Sequence, residues 1–108
     1  MKQFYLAGAY TAESELSRML NIRNAMLFGL KVMEVTGWFP IVPHCSMDHD
    51  TEWSPAMETC IATVRSLVPG RDVVVLLPNW RESRGATAEE GIARCLGIEV
   101  LEIAEVLK

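Results

Sequence analysis

The chain has 108 residues, 50% of them hydrophobic, with a formal net charge of −4 and a pI near 5.1. That length suits one globular domain, residues 1–108, whose core is adequate but small enough that a partner subunit can be needed to finish a site. The acidic balance argues against a polymeric nucleic-acid partner while leaving arginines to clamp one small anion, and no apolar run approaches the roughly 20 residues that span a bilayer.

Residues 4–7 are a short apolar run stopped by Gly8, with Ala9, Tyr10 and Thr11 ahead of a charged, helix-favouring stretch. This predicts a strand, a loop and then a helix over about 12–35. Along that helix Leu16, Met19, Leu20, Met26, Leu30 and Met33 recur at helical spacing, and Gly37 stands where a helix stop belongs, so this face is expected to pack on a sheet. Residues 39–42 read as a second strand, which Pro40 places at a sheet edge, where a missing donor is tolerated.

A polar loop over 44–53 follows, and Ser54 before Pro55 signals a helix start. That helix runs to about residue 67, where Pro69 and Gly70 break it. The run 73–77 is apolar without alternation, as expected of a central parallel strand covered on both faces. A loop over 78–83 leads to a helix over 86–96, closed by Gly97, then to a strand over 98–103 and a short tail helix.

Strands alternating with helices predict an α/β fold: a three-layer α/β/α sandwich on a parallel sheet of four or five strands, flavodoxin- or Rossmann-like, with right-handed crossovers. There is no internal repeat, low-complexity segment or linker. Cys45, Cys60 and Cys95 are odd in number, show no CxxC spacing and follow no secretory signal, so reduced thiols and a cytoplasmic location are expected.

In such a fold ligands bind beyond the carboxyl ends of the strands, where the strand order reverses. Residues 8–11, 44–50 and 79–85 and the start of the last long helix are expected to meet there. The helix beginning near Gly85 offers free backbone donors to an anion, with Ser83 adding a hydroxyl; a plain helix cap by Ser83 or Thr87 explains the same residues. Arg81 and Arg84 are nearby.

Glu89 lies one turn into that helix, where the helix dipole favours its ionised form. Glu90 competes with it, because adjacent helical residues point about 100° apart and only one can face the strand ends. His44, Cys45, Asp48, His49 and Asp50 are possible metal ligands, but their spacing matches no HExxH, CxxC or calcium loop, so no metal and no other cofactor is expected. Trp38, Trp53 and Trp80 flank loops, where an indole can cover a pocket or pack in a core.

The segments YLAGAY, GWFPIVPH and DVVVLLPNWRESRGATAEEGIA resemble the nucleoside 2-deoxyribosyltransferase superfamily. The likeness is to its small phage and bacterial members and to the related 2'-deoxynucleoside 5'-phosphate N-hydrolases, and it covers nearly the whole chain. It implies that Glu89, the glutamate followed by xGxA, is the catalytic nucleophile, attacking the anomeric carbon in a retaining double displacement. It further implies that Ser83 meets a 5'-phosphate, that Gly8, Ala9 and Tyr10 shape the pocket, and that His44 contributes to substrate binding; from their own positions Gly85, which lets an anion approach the backbone closely, and Trp80, beside the same loop, are expected to contact substrate too. A nucleoside monophosphate is then the expected substrate rather than a free nucleoside, since a neutral hydroxyl at a helix start does not repel phosphate.

Two departures accompany the resemblance. Thr11 stands where the phosphate hydrolases carry an arginine, so Arg81, Arg84 or a neighbouring subunit would have to serve. The family's second carboxylate has no clear equivalent: Cys60 falls near its position, Glu58 is the nearest acid, and Asp48 or Asp50 are substitutes. The leading expectation is N-glycosidic bond cleavage or transfer on a nucleotide or nucleoside by a homo-dimer or higher homo-oligomer. The alternatives are an inactive nucleotide-sensing module and a metal-dependent hydrolase built on residues 44–50.

Overall fold

The computed structural model describes residues 2–9, 14–43 and 53–108, with the backbone alone over 53–56. Four strands, β1 (Gln3–Ala7), β2 (Phe39–Ile41), β3 (Val73–Leu76) and β4 (Glu99–Glu102), form one parallel sheet in the order β2-β1-β3-β4. The helices between them are α1 (Glu15–Thr36), α2 (Trp53–Arg65) and α3 (Arg84–Cys95), and a single turn, α4 (Ile103–Val106), follows β4.

The period of a strand sorts the core into two layers. Phe4 and Leu6 of β1 with Val73 and Val75 of β3 face Ala25 and Val32 of α1 and Ile103 of α4. Tyr5 and Ala7 with Val74 and Leu76 face Val64 of α2 and Ala86 and Ala93 of α3. Every residue of β3 is therefore buried, as its unbroken apolar run predicts, and β2 with Pro40 lies at the edge. The result is the three-layer α/β/α sandwich.

One expectation is reversed. The large apolar residues of α1 do not face the sheet: Leu16 is 68% exposed, Met19 60% and Leu30 56%, and Leu20, Met26 and Met33 are exposed too. The helix instead buries Ala25, Gly29 and Val32. A Cβ on Gly29 would lie 3.1 Å from Val42 Cγ2, so the helix backbone sits close on the edge of the sheet and only small side chains fit beneath it. Helical spacing identified a stripe, but α1 has an apolar face on both sides and spacing does not say which is covered.

The ends of the elements follow local chemistry. Ser14 caps α1 by accepting the Ser17 N–H, and Gly37 ends it at φ 74° with its N–H on Met33 O. Ile103, expected in β4, begins α4 because Glu102 and Glu105 satisfy each other's backbone N–H groups in a capping box. At the amino end of the sheet, buried Asp72 accepts the N–H groups of Gln3 (3.1 Å) and Val68 (2.8 Å) and pairs with Arg71. The Arg71 guanidinium and those two N–H groups outweigh burial and hold its carboxyl at a pKa of about 2.

Candidate active site

From β1 the chain passes outward to β2 on one side, whereas β3 and β4 build out on the other, so the strand order reverses between β1 and β3. The loops above these two strands are tied together. Leu77 N–H donates to Ala7 O at 2.8 Å and Ala9 N–H donates to Asn79 Oδ1 at 3.2 Å. Gly8 is fixed by packing: a Cβ there would lie 2.4 Å from Leu77 Cδ1 and 2.7 Å from Leu77 Cβ. Its lack of a side chain lets the end of β1 meet β3, whatever ligand lies above.

At the start of α3, Ser83 is the cap residue, its Oγ accepting the Ala86 N–H at 3.1 Å while Thr87 N–H and Oγ1 donate to Ser83 O. The capping explanation of Ser83 is thus realised. Gly85 is buried, and a Cβ on it would lie 2.8 Å from Met57 Sδ. The missing side chain accommodates α2, so the expected role of Gly85, an opening for an anion against the backbone, is not what this contact serves.

Trp80, in a single 3-10 turn over Trp80–Glu82, packs against the core under α2 and α3 and donates its indole N–H to Glu102 Oε1 at 3.3 Å. Arg81 lies over its ring at 4.8 Å and reaches Glu102 at 3.6 Å. Both side chains are thereby directed toward the end of β4.

The helix resolves the two glutamates. Glu89 turns inward and is 5% exposed, while Glu90 turns outward and accepts a hydrogen bond from Arg94 Nε one turn later. The partner of Glu89 is Tyr5, at the middle of β1, whose hydroxyl donates to Glu89 Oε2. Cys60 of α2 completes a buried cluster, its thiol electrostatically linked to the Tyr5 hydroxyl and to the Glu89 charge.

Burial dominates the electrostatics of this cluster. It lifts the Glu89 carboxyl to a pKa of about 7, with the Tyr5 hydrogen bond opposing the rise. The expectation that the helix dipole helps keep Glu89 ionised is therefore corrected, because the loss of water around a buried carboxylate outweighs a dipole effect of about 0.3–1 kcal/mol. Burial, and then the negative charge of Glu89, push the Tyr5 hydroxyl well above its usual range, so it stays a donor. Burial likewise raises the Cys60 thiol, which remains protonated at neutral pH. A carboxyl that titrates near neutrality can exchange protons or, once ionised, act as a nucleophile.

Tyr5 is the site residue that sequence reasoning passed over. It reads as one more apolar residue of a strand, and the available signal was its hydroxyl, which a buried strand must satisfy with a partner. Glu58, the nearest acid to Cys60 in sequence, is exposed and takes no part in the cluster. Arg23 and Asn24 are exposed on α1, and Trp38 packs against the core under α1 with Lys2 4.5 Å from its ring.

Tyr10, Thr11, His44, Cys45, Asp48, His49 and Asp50, and the Trp53 and Ser54 side chains, lie outside the described residues. Among the described residues no three His, Cys, Asp or Glu side chains gather to hold a metal ion, and no helix is long and apolar enough to cross a membrane.

Residues 2–102 match the model of a family described as Domain of unknown function (DUF4406). No curated protein matches the chain.

Proposed function

Because the chain belongs to the DUF4406 family, whose description carries no activity, we propose its function from the site itself: cleavage or transfer at the N-glycosidic bond of a nucleoside 5'-monophosphate or nucleoside, with Glu89 as nucleophile. The observation that carries this reading is the inward, nearly buried Glu89 carboxyl, held by the Tyr5 hydroxyl beside the point where the strand order reverses. It agrees with the likeness of the GATAEEGIA segment to deoxyribosyltransferases, which selects the same glutamate.

In this reading Tyr5 holds one oxygen of Glu89 and the other attacks the anomeric carbon. The C–N bond breaks as the new C–O bond forms, and the base leaves with the bonding electrons and gains a proton. Water or a second base then attacks the same carbon, releasing Glu89 with retained configuration. Asp48 and Asp50 are the acids proposed to protonate the departing base, and Ser83 with Arg84 is proposed to meet the 5'-phosphate. A small-molecule nucleotide or nucleoside, with water or a second base as acceptor, supplies every reactant of this chemistry, and no cofactor enters it.

Incubation with a panel of deoxynucleoside monophosphates and nucleosides, followed by chromatography of free base, tests the proposal. Base release that disappears in Glu89→Gln supports it. Release from none of them, or equal release by the variant, overturns it.

One observation favours a second reading, a nucleotide sensor that keeps the fold without the chemistry. Where the resemblance calls for a second carboxylate, the cluster holds the neutral thiol of Cys60. Calorimetric titration with the same nucleotides separates the two readings: binding without base release establishes the sensor, and turnover excludes it.

A further inference from the structure

The outward face of α1 is too apolar and too regular to be an ordinary helix surface. Along it Leu16, Met19, Arg23, Met26, Leu30 and Met33 follow one another in alternating steps of three and four, the 3.5-residue repeat of a helix that lies along another helix. Leu20 and Leu27 widen the stripe on one side and are 43% and 49% exposed. The opposite face of α1 already packs on the sheet through Ala25, Gly29 and Val32. What remains is a second apolar face on a helix of 22 residues, about 33 Å long.

Its size matches an interface between subunits. The exposed Leu and Met side chains present on the order of 700 Å², above the few hundred Å² of an ordinary surface patch and close to the roughly 800 Å² that one partner contributes to a stable interface. Two exposed charged residues belong to the stripe, Arg23 within it and Glu34 on the side of Leu20 and Leu27, and they are of opposite sign. A heptad stripe is complementary to a second copy of itself, and these charges choose the direction. Parallel pairing sets Arg23 against Arg23. Antiparallel pairing about a two-fold axis between Leu27 and Leu30 sets Arg23 of each copy opposite Glu34 of the partner subunit, the two positions being about three turns apart along one helix.

We propose that the outward face of α1 is the dimerisation surface of this protein, where two copies pack antiparallel with Leu27 and Leu30 flanking the axis and Arg23 paired with Glu34 of the partner subunit. A membrane-binding helix would carry a cationic polar face opposite its apolar one, whereas the opposite face of α1 is the core. The surface lies across the sheet from Tyr5 and Glu89, so the pairing stands whether or not the proposed chemistry does.

Sedimentation of the full chain at tens of micromolar is expected to give about twice the monomer mass of 12.1 kDa. Leu27→Glu should give a monomer with an unchanged circular dichroism spectrum. Arg23→Glu should weaken the dimer by about tenfold or more, and adding Glu34→Arg should restore it. The charge exchange keeps the test sharp even where Leu27→Glu fails to fold. A wild-type monomer, a dimer indifferent to Leu27→Glu, or flotation of the monomer with lipid vesicles overturns the surface. A dimer that the double charge exchange does not restore overturns the antiparallel pairing.

Discussion

The Tyr5 hydroxyl donates a hydrogen bond to Glu89 Oε2, joining the middle of β1 to the second turn of α3 inside the layer between sheet and helices. Around it stand Ala7, Val64, Val74 and Leu76, all buried and apolar. A carboxyl in such surroundings costs stability when ionised, and an apolar residue of similar volume would cost less. The fold accommodates the pair, which is the kind of local conflict that accompanies a functional site.

That conflict has a pH signature. The folded state lifts Glu89 from 4.5 to about 7, so the folded protein holds its proton more tightly than the unfolded chain does. Stability linked to Glu89 is fully present below pH ~4.5 and declines as pH rises toward and through ~7. Glu89→Gln removes this dependence. Urea unfolding should find the variant comparable to wild type at pH 4 and more stable at pH 8, by up to about 3 kcal/mol. Parallel pH curves for the two proteins would show that Glu89 is not buried in the way described.

Tyr5→Phe leaves the packing and deletes the donor. Since that hydrogen bond lowers the Glu89 pKa against burial, its loss should move the carboxyl further up, above about 7. The pH midpoint of the Glu89-linked stability change then shifts upward. If the proposed base release occurs, its rate at pH 7 should fall by about tenfold, with partial recovery at pH 9 as Glu89 ionises. A rate profile with an unmoved midpoint would assign Tyr5 to packing alone.

Much of the fold was legible because its signals are local. The apolar run of β3, the edge proline of β2 and the stops at Gly37 and Gly97 each depend on a few neighbouring residues, and each holds. The α1 face was not legible, because Leu16, Met19 and Leu30 follow the same helical spacing whether they meet a sheet or a second helix. Glu89 stood out by its place in a motif, and its inward turn is realised. Its neutral-range pKa depends on burial between the sheet and helices and on Tyr5, 84 residues away in sequence, so no local pattern announces it. Gly85 was marked for the close approach of an anion and Gly8 as part of a pocket loop, but what lies close to them is Met57 and Leu77.

Gly8→Ala tests that last distinction. The added methyl would lie 2.4 Å from Leu77 Cδ1 and 2.7 Å from its Cβ, and the latter is fixed in place by a backbone anchored through the Leu77 N–H on Ala7 O. The strand ends must separate. Thermal unfolding should show a loss of about 1–3 kcal/mol without any ligand present, as overpacking of a tight contact gives. A variant as stable as wild type, with only nucleotide binding impaired, would return Gly8 to a purely ligand-facing role.

Asp72 carries the opposite pH dependence at the other end of the sheet. The Arg71 guanidinium and the N–H groups of Val68 and Gln3 hold its carboxyl at about 2, below its ordinary 3.8. A depressed acid contributes stability that is present above pH ~4 and is lost as pH falls through about 2. Asp72→Asn keeps one acceptor of two and loses the charge that orders the start of β1 against the turn before β3. It should cost about 2 kcal/mol at pH 7 and progressively less below pH 4. Denaturant unfolding of both proteins between pH 2 and pH 7 measures this directly, and a difference that stayed constant into acid would mean that the hydrogen-bond geometry, rather than the charge, holds this corner together.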